Sequence, residues 1–458
     1  MTGNDTAVAC KSLDDSHHMF HRVVGIVVVC EHIPQADDVS LCEQCTFLTN
    51  LCNPMAVILK SNFAVSNFAA QLGNAANFIA YAIMGIPSGL LLRKIGYRNT
   101  ALVAIGVGIV GVFLQYMAGW AMVESFAVYL AGAFVAGFCM CMLNTVVNPM
   151  LNTLGGGGNR GNLLIQFGGV CSSTAAVLVT ILMGSLIADV TKAKIADATP
   201  ALMIALGVFV FALLVLLLVK IPEPDEAGEV EELRSSEVQR YSAFSFRHFK
   251  LGMLAIFMYL GIEVGVPTYI MQYLTTAPTA ATPGLGINPN IVGMIVAVYW
   301  LLMLVGRLLG GLVAEKISSR TQIAAVSILT LVLVTLGIFL PEQWMVKMPG
   351  VDWASLTFIT AEIPVAIVAL ILVGLCTSVM WGGIFNMAVE GLGKYTSIAS
   401  GAFMTMVCGG GILIPLQGVM ADALGSFRLS YVVVLACAAY ILFYALHGSK
   451  NVNKNIPV

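Results

Sequence analysis

The chain has 458 residues, of which 59% are hydrophobic and 10% are charged, and its mean hydropathy is +0.91. Soluble globular proteins carry about 25% charged residues, so this composition excludes a soluble globular chain and indicates a polytopic membrane protein. The formal net charge of −2 gives no indication of nucleic-acid binding or of a basic peripheral membrane surface.

The amino-terminal segment, residues 1–44, is atypical for a membrane-spanning helix. Charged residues such as Glu31 and Asp37, together with Pro34, interrupt its apolar pieces. The apolar stretch that follows, 46–59, is shorter than the roughly 20 residues a helix needs to cross a bilayer. We therefore predict that the first helix is irregular.

Cysteine and histidine residues in this region resemble a metal cluster around a CxxC pair. They are Cys30, His32, Cys42 and Cys45. No second CxxC or HxxxH pair follows at the spacing of a zinc finger, so we expect neither a metal site nor a cofactor.

Eleven further stretches are long and apolar enough to cross a bilayer. They lie near 68–92, 101–120, 125–151, 163–188 and 201–221, and near 250–275, 291–315, 322–340, 357–385, 396–421 and 428–447. Between the two sets, residues 222–249 contain seven acidic residues and three arginines after two prolines, a composition typical of a solvated linker. We predict two six-helix halves, 45–221 and 250–448, a cytoplasmic linker between them and a cytoplasmic tail at 449–458.

Two pairs of stretches indicate that the halves are related. Residues 94–98 (KIGYR) match 316–320 (KISSR), and 148–155 (NPMLNTLG) resemble 386–393 (NMAVEGLG). Such repeats build transporters that bind substrate near the midplane and rock to alternate access. Short loops on one side carry seven Lys and Arg residues against four on the other, so the first side is predicted to be cytoplasmic.

One carboxylate, Glu263, lies deep in a predicted membrane span. Of the 24 acidic residues, seven precede residue 45, seven lie in 222–249, and of the other ten only Glu263 is far from a loop or helix end. A charge at that depth costs at least about 2.5 kcal/mol, so such residues usually serve transport or coupling. The alternative is a neutral acid hydrogen-bonded between helices. Pro267, one turn later, frees a backbone carbonyl for binding or bending.

Amide side chains follow one face of two predicted helices. They are Asn67, Gln71, Asn74 and Asn77, with Tyr81, on the second helix, and Asn144, Asn148 and Asn152 on the fourth. Uncharged donors and acceptors around a wet cavity suit a polyhydroxylated neutral solute, and the alternative is hydrogen bonding between helices. Trp381 and Tyr299 could stack on a sugar ring or serve as packing.

The sequence does not favour an enzyme. It contains no nucleophile and base, and no set of metal ligands, at a usable spacing. The glycine run at 155–158 is not a phosphate-binding loop, because no Lys-Ser or Lys-Thr pair follows it.

Three stretches resemble a known family. Residues 85–100 (GIPSGLLLRKIGYRNT) resemble the loop between the second and third helices of the major facilitator superfamily. Residues 143–169 and 391–418 are similar to its fucose/glucose/galactose:proton symporter branch. The resemblance implies an all-α membrane fold of twelve helices in two halves, a central sugar site and proton-coupled uptake.

The resemblance also indicates where the proton is carried. Fucose-type members are expected to carry carboxylates in the first and fourth helices, and the matching positions here are Asn53 and Asn144. Glu263 matches the acid that some glucose/galactose-type members carry in the seventh helix. If coupling does not rest on Glu263, the protein is a uniporter or a cation-coupled relative.

We therefore predict a secondary transporter that imports a neutral monosaccharide with protons, with Glu263 as the coupling acid. The predicted contacts to sugar hydroxyls are Asn74, Asn144, Gln166 and Asn386, with Trp381 as a further substrate contact. We expect a monomeric multi-pass protein of the plasma membrane, in the bacterial inner membrane, whose partners are sugar, protons and the lipid bilayer. The alternatives are efflux of a small amphiphilic solute and a non-transporting membrane sensor.

Overall fold

The computed structural model describes residues 72–120, 125–154, 158–186, 195–218, 241–280, 282–287, 289–314, 316–352 and 357–452. The atypical segment 1–44, the Cys and His cluster, the irregular first helix with Asn53, and most of the predicted linker lie outside them. In the described part of the chain, nine helices are long and apolar enough to cross a membrane.

The first half contributes four long helices to the described residues. They are α1 (Leu72–Met117), α2 (Phe126–Leu154), α3 (Gly158–Leu186) and α4 (Thr199–Leu218). A short 3₁₀ turn, Ile195–Ala198, leads into α4.

Helix α1 has 46 residues and is bent at Gly96, so it forms two arms. Gly96 has a φ of 80°, a conformation that L side chains rarely adopt, and glycine adopts it without steric cost. The first arm runs parallel to α2 and the second runs antiparallel to it. Neighbouring positions are Ala80 with Gly137 and Ser88 with Thr145 for the first arm, and Gly108 with Cys139 and Gly111 with Ala136 for the second. The chain therefore reverses at Gly96, as predicted from the two separate apolar stretches.

The second half contributes nine helices to the described residues, because three of its six spans are each broken into two. They are α5 (Arg247–Glu263), α6 (Gly265–Thr275), α7 (Pro289–Ala314), α8 (Ser319–Phe339), α9 (Val365–Thr377), α10 (Met380–Val389), α11 (Thr396–Thr405), α12 (Gly409–Leu424) and α13 (Val432–Phe443). The pairs α5–α6, α9–α10 and α11–α12 each form one candidate membrane span. Helix α5 begins at Arg247, three residues inside the stretch predicted as linker.

A β-hairpin joins α8 to α9. Strand β1 (Met345–Asp352) pairs antiparallel with β2 (Thr357–Pro364), and Met345 lies opposite Pro364. The predicted span 357–385 is therefore wrong for its first eight residues, which form β2. Thr357, Ile359 and Thr360 favour a strand, and hydropathy alone does not distinguish an apolar strand from a helix. Pro364 disfavours helix at the residue before it, and α9 starts directly after it.

These connections define two faces of the molecule. We call the face that carries the turn at Gly96, the link from α7 to α8 and the loop 390–395 the basic-loop face. The opposite face, which carries the β-hairpin, is the hairpin face.

Two arginines close the two halves in the same way. Arg98 donates hydrogen bonds to the carbonyls of Leu216 and Leu217 at the end of α4. Arg320 donates to the hydroxyl and carbonyl of Ser449, just beyond α13. A cation is favourable at a helix carboxyl end, where carbonyls lack helical partners. The matching stretches 94–98 and 316–320 thus make equivalent contacts.

Candidate functional site

The break between α5 and α6 places Glu263 at the end of a helix inside the membrane-spanning region. Pro267 has no N–H, so the carbonyl of Glu263, four residues earlier, loses its helical hydrogen bond. The Tyr299 hydroxyl from α7 donates to this carbonyl at 3.1 Å and lies 3.2 Å from the Thr377 hydroxyl of α9. The freed carbonyl therefore anchors α5 to its neighbours.

The Glu263 carboxylate forms an ion pair with Arg307 of α7. Its Oε1 lies 3.7 Å from the Nη2 of Arg307, and the two side chains are only 16% and 12% exposed. The Tyr259 hydroxyl, one turn before Glu263, lies beside the same carboxylate. Arg307 is absent from the predicted site, although it is the one basic residue in the apolar stretch 291–315. The isolation that identifies Glu263 could also have identified Arg307.

Arg307 also reaches the first half of the molecule. Its Nη1 donates to the Gly169 carbonyl and to the Ser173 hydroxyl of α3, both at 2.7 Å. A Cβ atom at Gly169 would lie 3.1 Å from the Cδ of Arg307, closer than most real contacts, so the glycine leaves room for this side chain. The guanidinium thus bonds one half while it faces a carboxylate of the other.

Trp381 of α10 forms a second contact between the halves. Its indole N–H donates to the Oδ1 of Asn148 on α2 at 3.2 Å. Its ring lies 6.0 Å from the ring of Tyr259 and 6.3 Å from that of Phe403. Tyr259 therefore connects the Trp381 ring to the Glu263 carboxylate.

The other predicted substrate residues occupy two levels of the interface. Asn144 lies near Trp381, one turn before Asn148, and donates to the Tyr81 hydroxyl at 2.8 Å. The structure thus brings Asn144, Trp381 and Glu263 into one region. Asn74 belongs to α1, but its side chain lies outside the described residues.

Gln166 and Asn386 lie nearer the basic-loop face and join the halves directly. Gln166, in the first third of α3, donates to the carbonyl of Val379 at 3.2 Å. Asn386, near the end of α10, donates to the carbonyl of Gly158 and to the Ser319 hydroxyl, both at 3.0 Å. In this conformation, both amides serve as contacts between helices.

Glycines bring α1 and α11 into backbone contact on the other side of the interface. A Cβ atom at Gly401 would lie 2.5 Å from the carbonyl oxygen of Gly85 and 2.7 Å from the Cα of Gly89. Small residues allow this approach, which packs membrane helices closely. With the contacts of Gln166 and Asn386, it closes the described interface toward the basic-loop face.

The sequence profile of the Major Facilitator Superfamily matches residues 44–415. The chain belongs to the major facilitator superfamily. A putative glucose/galactose transporter of Helicobacter pylori strain J99 is 30% identical over 420 residues, which are 88% of this chain and 94% of that protein. The L-fucose-proton symporter of Escherichia coli K12 is 23% identical over 410 residues, covering 85% and 86% of the two chains.

A solved structure shares the fold of this major facilitator protein. The crystal structure of the transporter FucP in the outward conformation superposes with a TM-score of 0.70 at 20% identity, covering 92% of this chain and all of that chain. The family and fold class predicted from residues 85–100, 143–169 and 391–418 are therefore confirmed. The protein is a multi-pass membrane protein.

Proposed function

We propose that the protein imports a neutral monosaccharide of the glucose, galactose or fucose type together with a proton. The observation that carries the proposal is the ion pair between Glu263 and Arg307, whose arginine also bonds the first half. Tyr259, beside the carboxylate, packs 6.0 Å from the Trp381 ring. The two relatives, a putative glucose/galactose transporter and an L-fucose-proton symporter, support the same substrates.

The polar groups around Trp381 suit a sugar. An indole ring offers a flat apolar surface to a sugar ring, and amides both donate to and accept from hydroxyls. Asn144 and Asn148 present such amides beside Trp381. We assign these three residues to the sugar site in the present conformation. Asn74, Gln166 and Asn386 remain proposed contacts, and the last two become free for sugar when their bonds between the halves break.

The ion pair suits proton coupling. Among the described residues, Glu263 is the carboxylate that lies deepest in a candidate membrane span, Arg247–Thr275. Protonation removes its charge and leaves Arg307, which is always charged in proteins, without its counter-charge. One proton can therefore change the balance of forces between the halves.

The contacts support the following transport cycle. With the basic-loop face cytoplasmic, as the basic residues in short loops predict, the present conformation is closed to the cytoplasm. A proton binds Glu263 from the hairpin face, sugar binds Trp381 and the amides, and the halves rock. The contacts of Gln166, Asn386 and Gly401 then separate, and both solutes leave at the basic-loop face.

The experiment is uptake of labelled hexoses and fucose into proteoliposomes, with and without an inward proton gradient. We expect gradient-driven accumulation by the native protein, and sugar exchange without accumulation by Glu263→Gln. Glu362→Gln is the matched control, because Glu362 is 62% exposed on the hairpin and should behave as native. Accumulation by Glu263→Gln with native proton dependence would contradict the assignment of the coupling acid, and movement of none of the sugars would contradict the substrate class.

A further inference from the structure

The Arg307 side chain divides its contacts between the two halves of the protein. It belongs to α7 in the second half, yet both hydrogen bonds of its Nη1 go to α3 in the first half. Its Nη2 faces Glu263 of α5, in its own half, at 3.7 Å. The guanidinium therefore lies in the contact between α3 and α7.

Glu263 is the group that balances the charge of Arg307. The acceptors on α3, the Gly169 carbonyl and the Ser173 hydroxyl, are uncharged. A buried cation is costly without a counter-ion, and removal of one partner from a buried pair is strongly destabilising. The position of the guanidinium between the halves thus depends on the charge of one carboxylate.

The surroundings of the carboxylate contain few other titratable groups. Tyr259 of α5 and Arg307 of α7 face it, and the Tyr299 hydroxyl of α7 lies at the backbone carbonyl of the same residue. Cys376 of α9 lies behind Tyr299. Within its described side chains, α3 contributes only uncharged groups here, so no second carboxylate replaces Glu263 at this point.

We propose that Arg307 is a charge-dependent bridge between the halves, which holds α7 against α3 while Glu263 is ionised and releases α3 when Glu263 is protonated. The inference rests on the proposed proton coupling and names the residue that transmits it. The step is the transfer of one proton to a carboxylate oxygen of Glu263. The guanidinium keeps its charge, so one uncompensated positive charge remains in the contact and favours its hydration and opening.

A pair of cysteines can report whether this contact is closed. A Cβ atom at Gly311 of α7 would lie 3.8 Å from the Cβ of Gln166 on α3, which is the usual spacing across a disulfide. The double variant Gln166→Cys/Gly311→Cys should therefore cross-link when the contact is closed. Each single cysteine variant is the control for the native cysteines, and mass spectrometry of linked peptides identifies the bond.

The experiment compares the rate of cross-linking at one pH in four backgrounds: native, Glu263→Gln, Arg307→Gln and both changes together. Glu263→Gln is the neutral analogue of the protonated acid. We expect each single change to slow cross-linking several-fold and the combination to slow it no further, because both remove the same interaction. Ser173→Ala, which removes one acceptor, should give an intermediate rate.

Three results would overturn the bridge. The first two are a native rate of cross-linking in Glu263→Gln and a native rate in Arg307→Gln. The third is a rate in the combined variant that equals the product of the two separate effects. If Arg307→Gln does not fold, Arg307→Lys replaces it, because lysine keeps the charge beside Glu263. Cross-linking in the Arg307→Lys background should still slow when Glu263→Gln is added.

The assay needs neither sugar nor a proton gradient, so its failure is separate from that of the uptake experiment. A pH profile distinguishes the bridge from a merely structural contact. The rate of downhill sugar exchange should vary with pH in the native protein and be flat in Glu263→Gln and in Arg307→Gln. A native pH profile in Arg307→Gln would show that the residue only supports the fold.

Discussion

The Tyr299 hydroxyl donates to the backbone carbonyl of Glu263 at 3.1 Å, in place of the helical bond that Pro267 cannot make. The same solution occurs in α2, where Pro149 leaves the carbonyl of Thr145 without its helical donor. The Ser400 hydroxyl of α11 donates to that carbonyl at 3.2 Å, from the other half of the molecule. Both proline positions thus create acceptors that bind a hydroxyl of another helix.

Tyr299→Phe should destabilise the protein through this carbonyl. A buried acceptor left without a partner costs about 1–3 kcal/mol, so we expect a lower unfolding temperature in detergent. In the Pro267→Ala background, which restores the helical N–H, the same change should cost less. Thr377→Val is the control, because it removes the second contact of Tyr299 and the local bond to the Gly374 carbonyl but leaves the Glu263 carbonyl with its donor. Equal costs of Tyr299→Phe in both backgrounds would contradict this account.

Gly401→Ala should impair transport while the protein still folds. The added methyl group would meet the backbone of Gly85 and Gly89 at 2.5 to 2.7 Å, and overpacking of this kind costs about 1–3 kcal/mol. That energy acts against the conformation closed at the basic-loop face, so the equilibrium ratio of closed to open protein should fall by about 5- to 150-fold. Gly207→Ala, on α4, is the control because no atom lies within 4 Å of its added Cβ. Equal uptake by both variants would exclude a role for the close contact.

Trp381→Ala should weaken sugar binding more than Trp381→Phe. The phenylalanine variant keeps an aromatic face and loses the indole N–H that positions the Asn148 amide. The alanine variant loses both, so we expect binding to weaken by at least about tenfold, as 1.4 kcal/mol corresponds to that factor. Equilibrium binding of labelled sugar in detergent measures both. The control is Trp120→Ala, because the Trp120 side chain is 41% exposed and lies beyond the end of α1. This variant should bind sugar as the native protein does. A similar loss of affinity there would argue against stacking of the sugar on Trp381.

Arg428→Ala should lower stability far more than Lys347→Ala. The buried Arg428 donates to the carbonyls of Gly337, Ile338 and Leu340 at the end of α8 and to the Glu342 carboxylate. Its loss leaves these carbonyls without their donor, at about 1–3 kcal/mol for each one that water does not reach.

The control for the buried Arg428 is an ion pair whose two side chains are exposed to solvent. Lys347 and Glu362 lie 3.9 Å apart on the hairpin and are 72% and 62% exposed, so their interaction should contribute less than about 1 kcal/mol. Thermal unfolding of the two variants in the same detergent measures the difference. A similar loss in both would contradict the role assigned to Arg428.

Hydropathy and the isolation of Glu263 predict a large part of this fold and of its site. The long apolar stretches become membrane-spanning helices because their composition is set by the bilayer, which requires about 20 apolar residues for each crossing. Glu263 is identified by the cost of its charge at that depth. The strand at 357–364 is missed because the same apolar composition suits both structures.

The partners of the predicted residues do not follow from local pattern. Gly169 and Ser173 are separated from Arg307 by more than a hundred residues, and only the packing of α3 against α7 brings them together. The sequence likewise predicts that the amides of Gln166 and Asn386 bind sugar. In this conformation they bond other helices, and an amide that bonds a helix has the same chemistry as one that bonds sugar. Arg428 belongs to a short loop in sequence, and its role at the end of α8 depends on the tertiary fold.

The equivalent contacts of Arg98 and Arg320 have a consequence for assembly. Each arginine closes one half upon itself, since the described hydrogen bonds of Arg98 go to the end of α4 in the first half and those of Arg320 go to Ser449 at the end of the second. We therefore expect each bundle to fold without the covalent connection between residues 218 and 241. Two separately translated polypeptides, divided within 222–240, should insert independently and reconstitute a working carrier. Arg98→Ala or Arg320→Ala should abolish transport by the two fragments while the uncut chain with the same substitution still transports.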